Sequence, residues 1–319
     1  MAASSSAIFG NADDAQLATP GSYGESPSGF RLPETTRLGP VRLQVADLAR
    51  SVEYYGSVLG MRTIERDAIS ASLGPHGENG SLVELRQLEG ARPAAHRGSL
   101  GLFHFAILLP DRASLARFVQ HLGDIGAEAG AGDHLVSEAF YLQDPDNLGI
   151  EVYCDRPRET WRRKGRELMM ATDPVDIANL LQAAHGEPWS GMPAGTVMGH
   201  VHLHVGDIAQ GAAFFSEALG FDRTVWHYPG ALFLSAGGYH HHLGTNTWAG
   251  HGALPPRDGD AQLLEWTIEV PDAASLVAAA SSLANKGYAV ARDTDSVDGS
   301  DLLTSDPWGT QIRLRISGP

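Results

Sequence analysis

The strongest constraint on the fold of this chain is that it repeats itself. VRLQVADLARSVEYYGSVLGM (Val41–Met61) returns as VHLHVGDIAQGAAFFSEALGF (Val201–Phe221). Val41/Val201, Leu43/Leu203, Val45/Val205, Asp47/Asp207, Tyr55/Phe215, Leu59/Leu219 and Gly60/Gly220 coincide without a gap. FHFAILLPDRASL (Phe103–Leu115) returns as LEWTIEVPDAASL (Leu264–Leu276), and YLQDPDNLGIEVY (Tyr141–Tyr153) as LTSDPWGTQIRLR (Leu303–Arg315). The chain is a duplication, so its fold must accept the same unit more than once.

Each half divides again. VRLQV alternates apolar and polar residues, as a half-buried strand does. Asp47 stands where it can cap a helix whose Leu48, Val52, Tyr55 and Leu59 make one stripe, closed by Gly60. Short alternating runs such as LVELRQL (Leu82–Leu88) follow. The same grammar restarts at Phe103, with Asp111 as cap and Leu115, Phe118, Val119 and Leu122 as stripe. The expectation is an α+β protein of four βαβββ units, beginning near Leu38, Leu102, Met198 and Leu263. Residues 1–35 read as a mobile or surface-draped arm. Residues 36–155 form a first domain of two units, and 197–319 a second. The linker between them, 156–196, carries a helix around Val175–Ala184.

Composition narrows the partners. A net charge of −15 opposes binding to nucleic acid or to an anionic membrane surface. No apolar run approaches the roughly 20 residues of a membrane span. The N-terminus lacks the basic flank and apolar stretch of a secretory signal. The single cysteine, Cys154, rules out an internal disulfide framework and a cysteine-based zinc cluster. The expected setting is the cytoplasm. The sequence does not set the oligomeric state, and a homo-oligomer is compatible with it.

Four βαβββ units opening on x-V-x-L-x-V-x-D-L resemble the vicinal oxygen chelate superfamily, over residues from about 38 to 316. That resemblance implies paired units whose sheets curl into open cups around a divalent metal. It also implies ligands only on the first and last strand of each unit. Those positions hold Pro40, His104, His200 and Glu265 on first strands, and Glu84, Glu151, His242 and Arg313 on last strands. Proline cannot ligate and a guanidinium repels a metal, so units one and four form a structural cup. Units two and three offer His104, Glu151, His200 and His242. Two histidines and a carboxylate are the non-haem iron(II) pattern. His202 and His204 share a strand face with His200 and are read as wall residues.

GDHLVSEAFYLQDPDNLGIE (Gly132–Glu151) resembles the signature of extradiol ring-cleavage dioxygenases, with His134, Phe140, Tyr141, Asp144, Pro145 and Glu151 at the expected spacings. Asn147 departs, standing where Gly or Pro is usual, but Asn tolerates a left-handed turn. The family implied is the four-unit catechol 2,3-dioxygenase type. In its best-known members all ligands come from the second half of the chain. Here they come from units two and three, so the cup must be built across the linker.

The resemblance implies iron(II), with manganese(II) as the other option, held by His104, Glu151 and His200. It implies an aromatic diol and dioxygen as reactants. His134, Tyr141 and His242 then act on protons and oxygen, with His240 as alternative to His242 and His241 pointing away. Met192, Phe214, Phe233, Trp248 and Trp266 are candidates for an apolar wall. Two other readings stay open: a glyoxalase-like isomerase or transferase, with His242 as a fourth ligand, and a metal-free binding module of the same fold.

Overall fold

The computed structural model describes residues 3–9, 14–95, 97–294, 296 and 299–318. All four units form. In each, an aspartate just after the opening strand caps the helix: Asp47, Asp111, Asp207 and Asp272 accept the backbone N–H of Arg50, Ser114, Gln210 and Ser275. Each cap satisfies one of the donors that a helix N-terminus leaves free. The apolar residues of the opening strand then pack under the helix. In unit one, Val41, Leu43, Val45, Leu48 and Tyr55 are all buried. Burying each such side chain contributes roughly 1.5–3 kcal/mol.

The strands make two eight-stranded sheets, and neither sheet follows the order of the halves. In the first, the opening strands of units two and three, Gly101–Leu108 and Val197–His204, pair antiparallel at the centre. Each is flanked by its own unit's closing strand in parallel, Gly149–Asp155 and Leu243–Asn246. The second sheet joins units one and four the same way through Arg37–Val45 and Gln262–Val270. Each curled sheet therefore takes one unit from 36–155 and one from 197–319.

The segments outside the units are built into the first sheet's cup. Gln16–Leu17 of the N-terminal arm pairs with Arg162–Lys164, which pairs with Glu167–Leu168. The linker helix runs over Ile177–Gln182. Arm and linker pack on a satellite core of Val136, Trp161, Leu168, Met170, Tyr228 and Phe233. Among the described residues no helix is long and apolar enough to cross a membrane.

Candidate metal centre and active site

Pairing across the first cup brings three distant side chains together. Ala106 lies opposite His200 on one side and Glu151 on the other. His104 is two residues from Ala106 and so shares its face. His104, Glu151 and His200 therefore project from three adjacent strands into the concave side, all buried. Glycines permit the close approach. A Cβ on Gly149 would lie 2.0 Å from the Phe103 carbonyl oxygen, and one on Gly199 would lie 1.9 Å from the Tyr153 hydroxyl.

The three donor atoms suit a divalent metal. Glu151 Oε2 lies 3.0 Å from His104 Nε2 and 3.2 Å from His200 Nε2. Ligands at about 2.0–2.2 Å from a metal and at right angles to one another stand about 3 Å apart, so these separations match three adjacent coordination positions. His104 Nε2 is buried, and none of its neighbours is aligned to hydrogen-bond it. Among the described residues this is the one set of three or more His, Cys, Asp or Glu side chains clustered tightly enough to hold an ion. Burial pushes His200 down to about 4, against the pull of Glu151, so its imidazole is neutral and able to ligate. Burial would raise the Glu151 carboxyl, but the neighbouring His200 and His104 hold it well below the usual carboxylate range.

His134 and Tyr141 stand beside this triad as a pair. His134 Nδ1 donates to the Ala171 carbonyl at 2.6 Å, which fixes the tautomer and leaves Nε2 to accept from the Tyr141 hydroxyl. Burial first, and then the Glu151 charge, push Tyr141 well above its ordinary pKa, so it keeps the proton it donates. Tyr141 is placed by the strand pairing from Ala139–Tyr153 to Gln143–Gly149, closed by the Asp144-Pro145 turn, and His134 by the hairpin before it, where its N–H donates to the Ser137 carbonyl at 2.9 Å. Asn147 in that turn has φ 63°, the left-handed conformation its side chain tolerates.

The His240–His242 segment departs from the sequence reading. His242 does not face the triad. It lies half-buried on the other side, where its Nδ1 accepts from the Ala236 N–H at 3.2 Å and pairs with Ser235 Oγ at 3.1 Å. There it borders a separate groove with Arg158 and Glu34. His241 instead lines the triad's cavity, its ring centroid 4.0 Å from that of His200. Period-two alternation fails because the closing strand starts only at Leu243. The residues before it turn, with Gly237 and Gly238 at φ 62° and 63°. Behind His241 runs a buried chain: His240 Nδ1 meets His241 Nδ1 at 2.7 Å, and His240 Nε2 meets Asp155 at 2.9 Å. With Nδ1 engaged, His241 keeps Nε2 for the cavity.

The cavity holds about 370 Å³. Phe233 and Trp248 of the expected wall line it, whereas Met192, Phe214 and Trp266 lie in the main core. The sequence reading missed Phe103 and Tyr228, and also Met170–Thr172 from the linker. His202 and His204 are held by Asn246, which donates from Nδ2 to His202 Nε2 and accepts from His204 Nδ1.

The second cup presents a different picture at the equivalent positions. Glu84 is paired with Arg42 at 2.9 Å, and Glu265 with both Arg42 and Arg313. Arg313 also reaches Asp293 and Asp301. Hydrogen bonds to Glu265, Asp293 and Asp301 raise its pKa although burial opposes them, so the guanidinium is firmly charged. Its cations occupy the carboxylates that a metal would need.

Comparison with known proteins agrees with this architecture. The profile of the Glyoxalase/Bleomycin resistance protein/Dioxygenase superfamily matches residues 37–152 and 197–314. The chain belongs to that superfamily. A catechol-2,3-dioxygenase of Bacillus subtilis strain 168 is 41% identical over 275 residues, covering 85% of this chain and 95% of the relative. Among solved structures, a provisionally assigned dioxygenase from Bacillus subtilis superposes with a TM-score of 0.62 at 13% identity, covering 92% of this chain and 87% of that one. Glyoxalase I of Zea mays superposes with a TM-score of 0.52 at 19% identity, covering 88% and 92%. Both structural likenesses speak for the fold.

Proposed function

We propose that this chain opens the ring of a catechol-type aromatic diol next to its hydroxyl-bearing carbons, using dioxygen and an iron(II) ion held by His104, Glu151 and His200. It is an extradiol dioxygenase. The observation that carries the reading is the convergence of a two-histidine, one-carboxylate triad with the His134–Tyr141 pair in one apolar cavity. A bound iron(II) supplies the electron transfer that lets dioxygen react with an aromatic ring, and manganese(II) is the alternative ion for this donor set.

The chain's own side chains do the rest. Tyr141 and His134 form a ready proton path at the cavity wall, able to hold a diol oxygen and take its proton. His241, not His242, is the acid–base candidate on the other side, positioned by His240 and Asp155. The apolar wall excludes water and strengthens every polar contact inside. Holding the reactants side by side removes much of the entropic part of the barrier. The isomerase reading relied on His242 as a fourth ligand, and its placement against Ser235 removes that support. Cytoplasmic residence suits a chain whose only cysteine is buried and unpaired.

The test is to load the metal-free protein with ferrous iron under anaerobic conditions, then add catechol and air. A yellow ring-opened product formed with one dioxygen consumed per diol is expected. Stoichiometric iron with no dioxygen uptake from any catechol would refute the proposal.

A further inference from the structure

We infer that the preferred diol carries an uncharged apolar substituent about the size of a second ring, a proposal that rests on the ring-cleavage reading. A cavity of about 150 Å³ is enough to hold a benzene ring. The cavity over the triad is more than twice that, at about 370 Å³.

Phe103, Tyr228, Phe233 and Trp248 form a connected aromatic box. Ring centroids are 5.7 Å apart for Phe103–Trp248, 5.6 Å for Tyr228–Phe233 and 6.0 Å for Tyr228–Trp248. Met170 adds a flexible thioether that fits irregular apolar shapes. Both polar atoms of this box are already engaged: Trp248 Nε1 donates to the Pro229 carbonyl at 2.9 Å, and the Tyr228 hydroxyl pairs with Thr172 Oγ1 at 3.1 Å and accepts from the Ala3 N–H at 3.2 Å. The Thr172 N–H in turn donates to the Ala3 carbonyl at 2.9 Å, so the N-terminal arm backs this wall.

Among the described residues, no lysine or arginine lines the cavity. A carboxylate on the substituent would be stripped of water with no cation to meet it, which is costly. The chain's net charge of −15 further disfavours an anionic substrate. An aryl or branched alkyl group has neither problem and gains from burial against the box.

The experiment uses the full-length, iron-loaded protein with catechol, 3- and 4-phenylcatechol, 4-tert-butylcatechol and 3,4-dihydroxyphenylacetate. It reads kcat/KM in air and equilibrium binding without dioxygen. At least one apolar-substituted diol should exceed catechol by about 10-fold or more in both readouts, the size of effect one well-filled apolar subsite gives. The carboxylated diol should bind more weakly than catechol. Trp248→Ala should shrink the preference for the apolar diol, read as the ratio of its kcat/KM to that of catechol and as the ratio of the two binding constants without dioxygen. Catechol or the carboxylated diol performing as well as every apolar diol would overturn this inference and leave ring cleavage standing. Failure to open any diol would overturn both.

Discussion

Replacing Asp144 by Asn should make the protein more stable at neutral pH and flatten its stability profile below it. Asp144 opens the turn that returns the chain into the strand carrying Glu151. Its Oδ1 accepts the N–H groups of Asp146 at 2.8 Å and Leu148 at 2.9 Å. Burial raises its pKa from 3.8 to about 6, with the adjacent Asp146 charge helping and the two N–H groups opposing. The folded pKa thus exceeds the unfolded one. The favourable contribution is fully present below about pH 4 and is lost as pH rises through about 6. Roughly two pKa units correspond to about 3 kcal/mol, of which about 2–3 kcal/mol is lost between pH 4 and 7. Asparagine keeps the Oδ1 acceptor and places an amide toward the Tyr55 hydroxyl, which now donates to Asp144 Oδ2 at 3.3 Å. Urea unfolding at several pH values should show the Asp144→Asn protein gaining on the wild type by about 2–3 kcal/mol from pH 4 to 7. Parallel profiles for the two proteins would refute the argument that this turn carries a strained buried charge.

Other substitutions separate the roles of neighbouring groups. His241→Gln should retain iron while turnover falls by about 10²–10⁴-fold, the range for a lost acid–base group, and His242→Gln should stay within a few fold of wild type. Tyr141→Phe removes one hydrogen bond and should lower turnover on the order of 10-fold with metal content unchanged. Gly149→Ala forces the Phe103 carbonyl aside next to His104, so both the unfolding midpoint and the iron content should drop.

Much of this was legible in the sequence because repeats transfer strand positions from one unit to another. His104, Glu151 and His200 sit on regular strands, where alternation decides which face a residue takes, and the structure brings those three together. His241 and His242 lie just before a strand begins, in a turn bent by Gly237 and Gly238, where alternation has no force. Tyr228 and Met170–Thr172 belong to segments without periodicity. Met170–Thr172 reach the cavity because the linker folds back, and Tyr228 because the turn between Asp222–Val225 and Ala231–Ser235 leans over it, neither of which local pattern encodes. Asn147 illustrates the opposite case, since its departure from Gly follows from a single backbone angle.

The cup of units two and three is expected to hold one metal ion and the cup of units one and four none. Equilibrium dialysis of the metal-free protein against ferrous iron without dioxygen tests it directly, with Glu151→Ala and Glu265→Gln beside the wild type. One equivalent bound by the wild type and by Glu265→Gln, and none by Glu151→Ala, is the expected result. Iron retained by Glu151→Ala, or lost from a folded Glu265→Gln, would place the metal elsewhere than in the His104–Glu151–His200 cup.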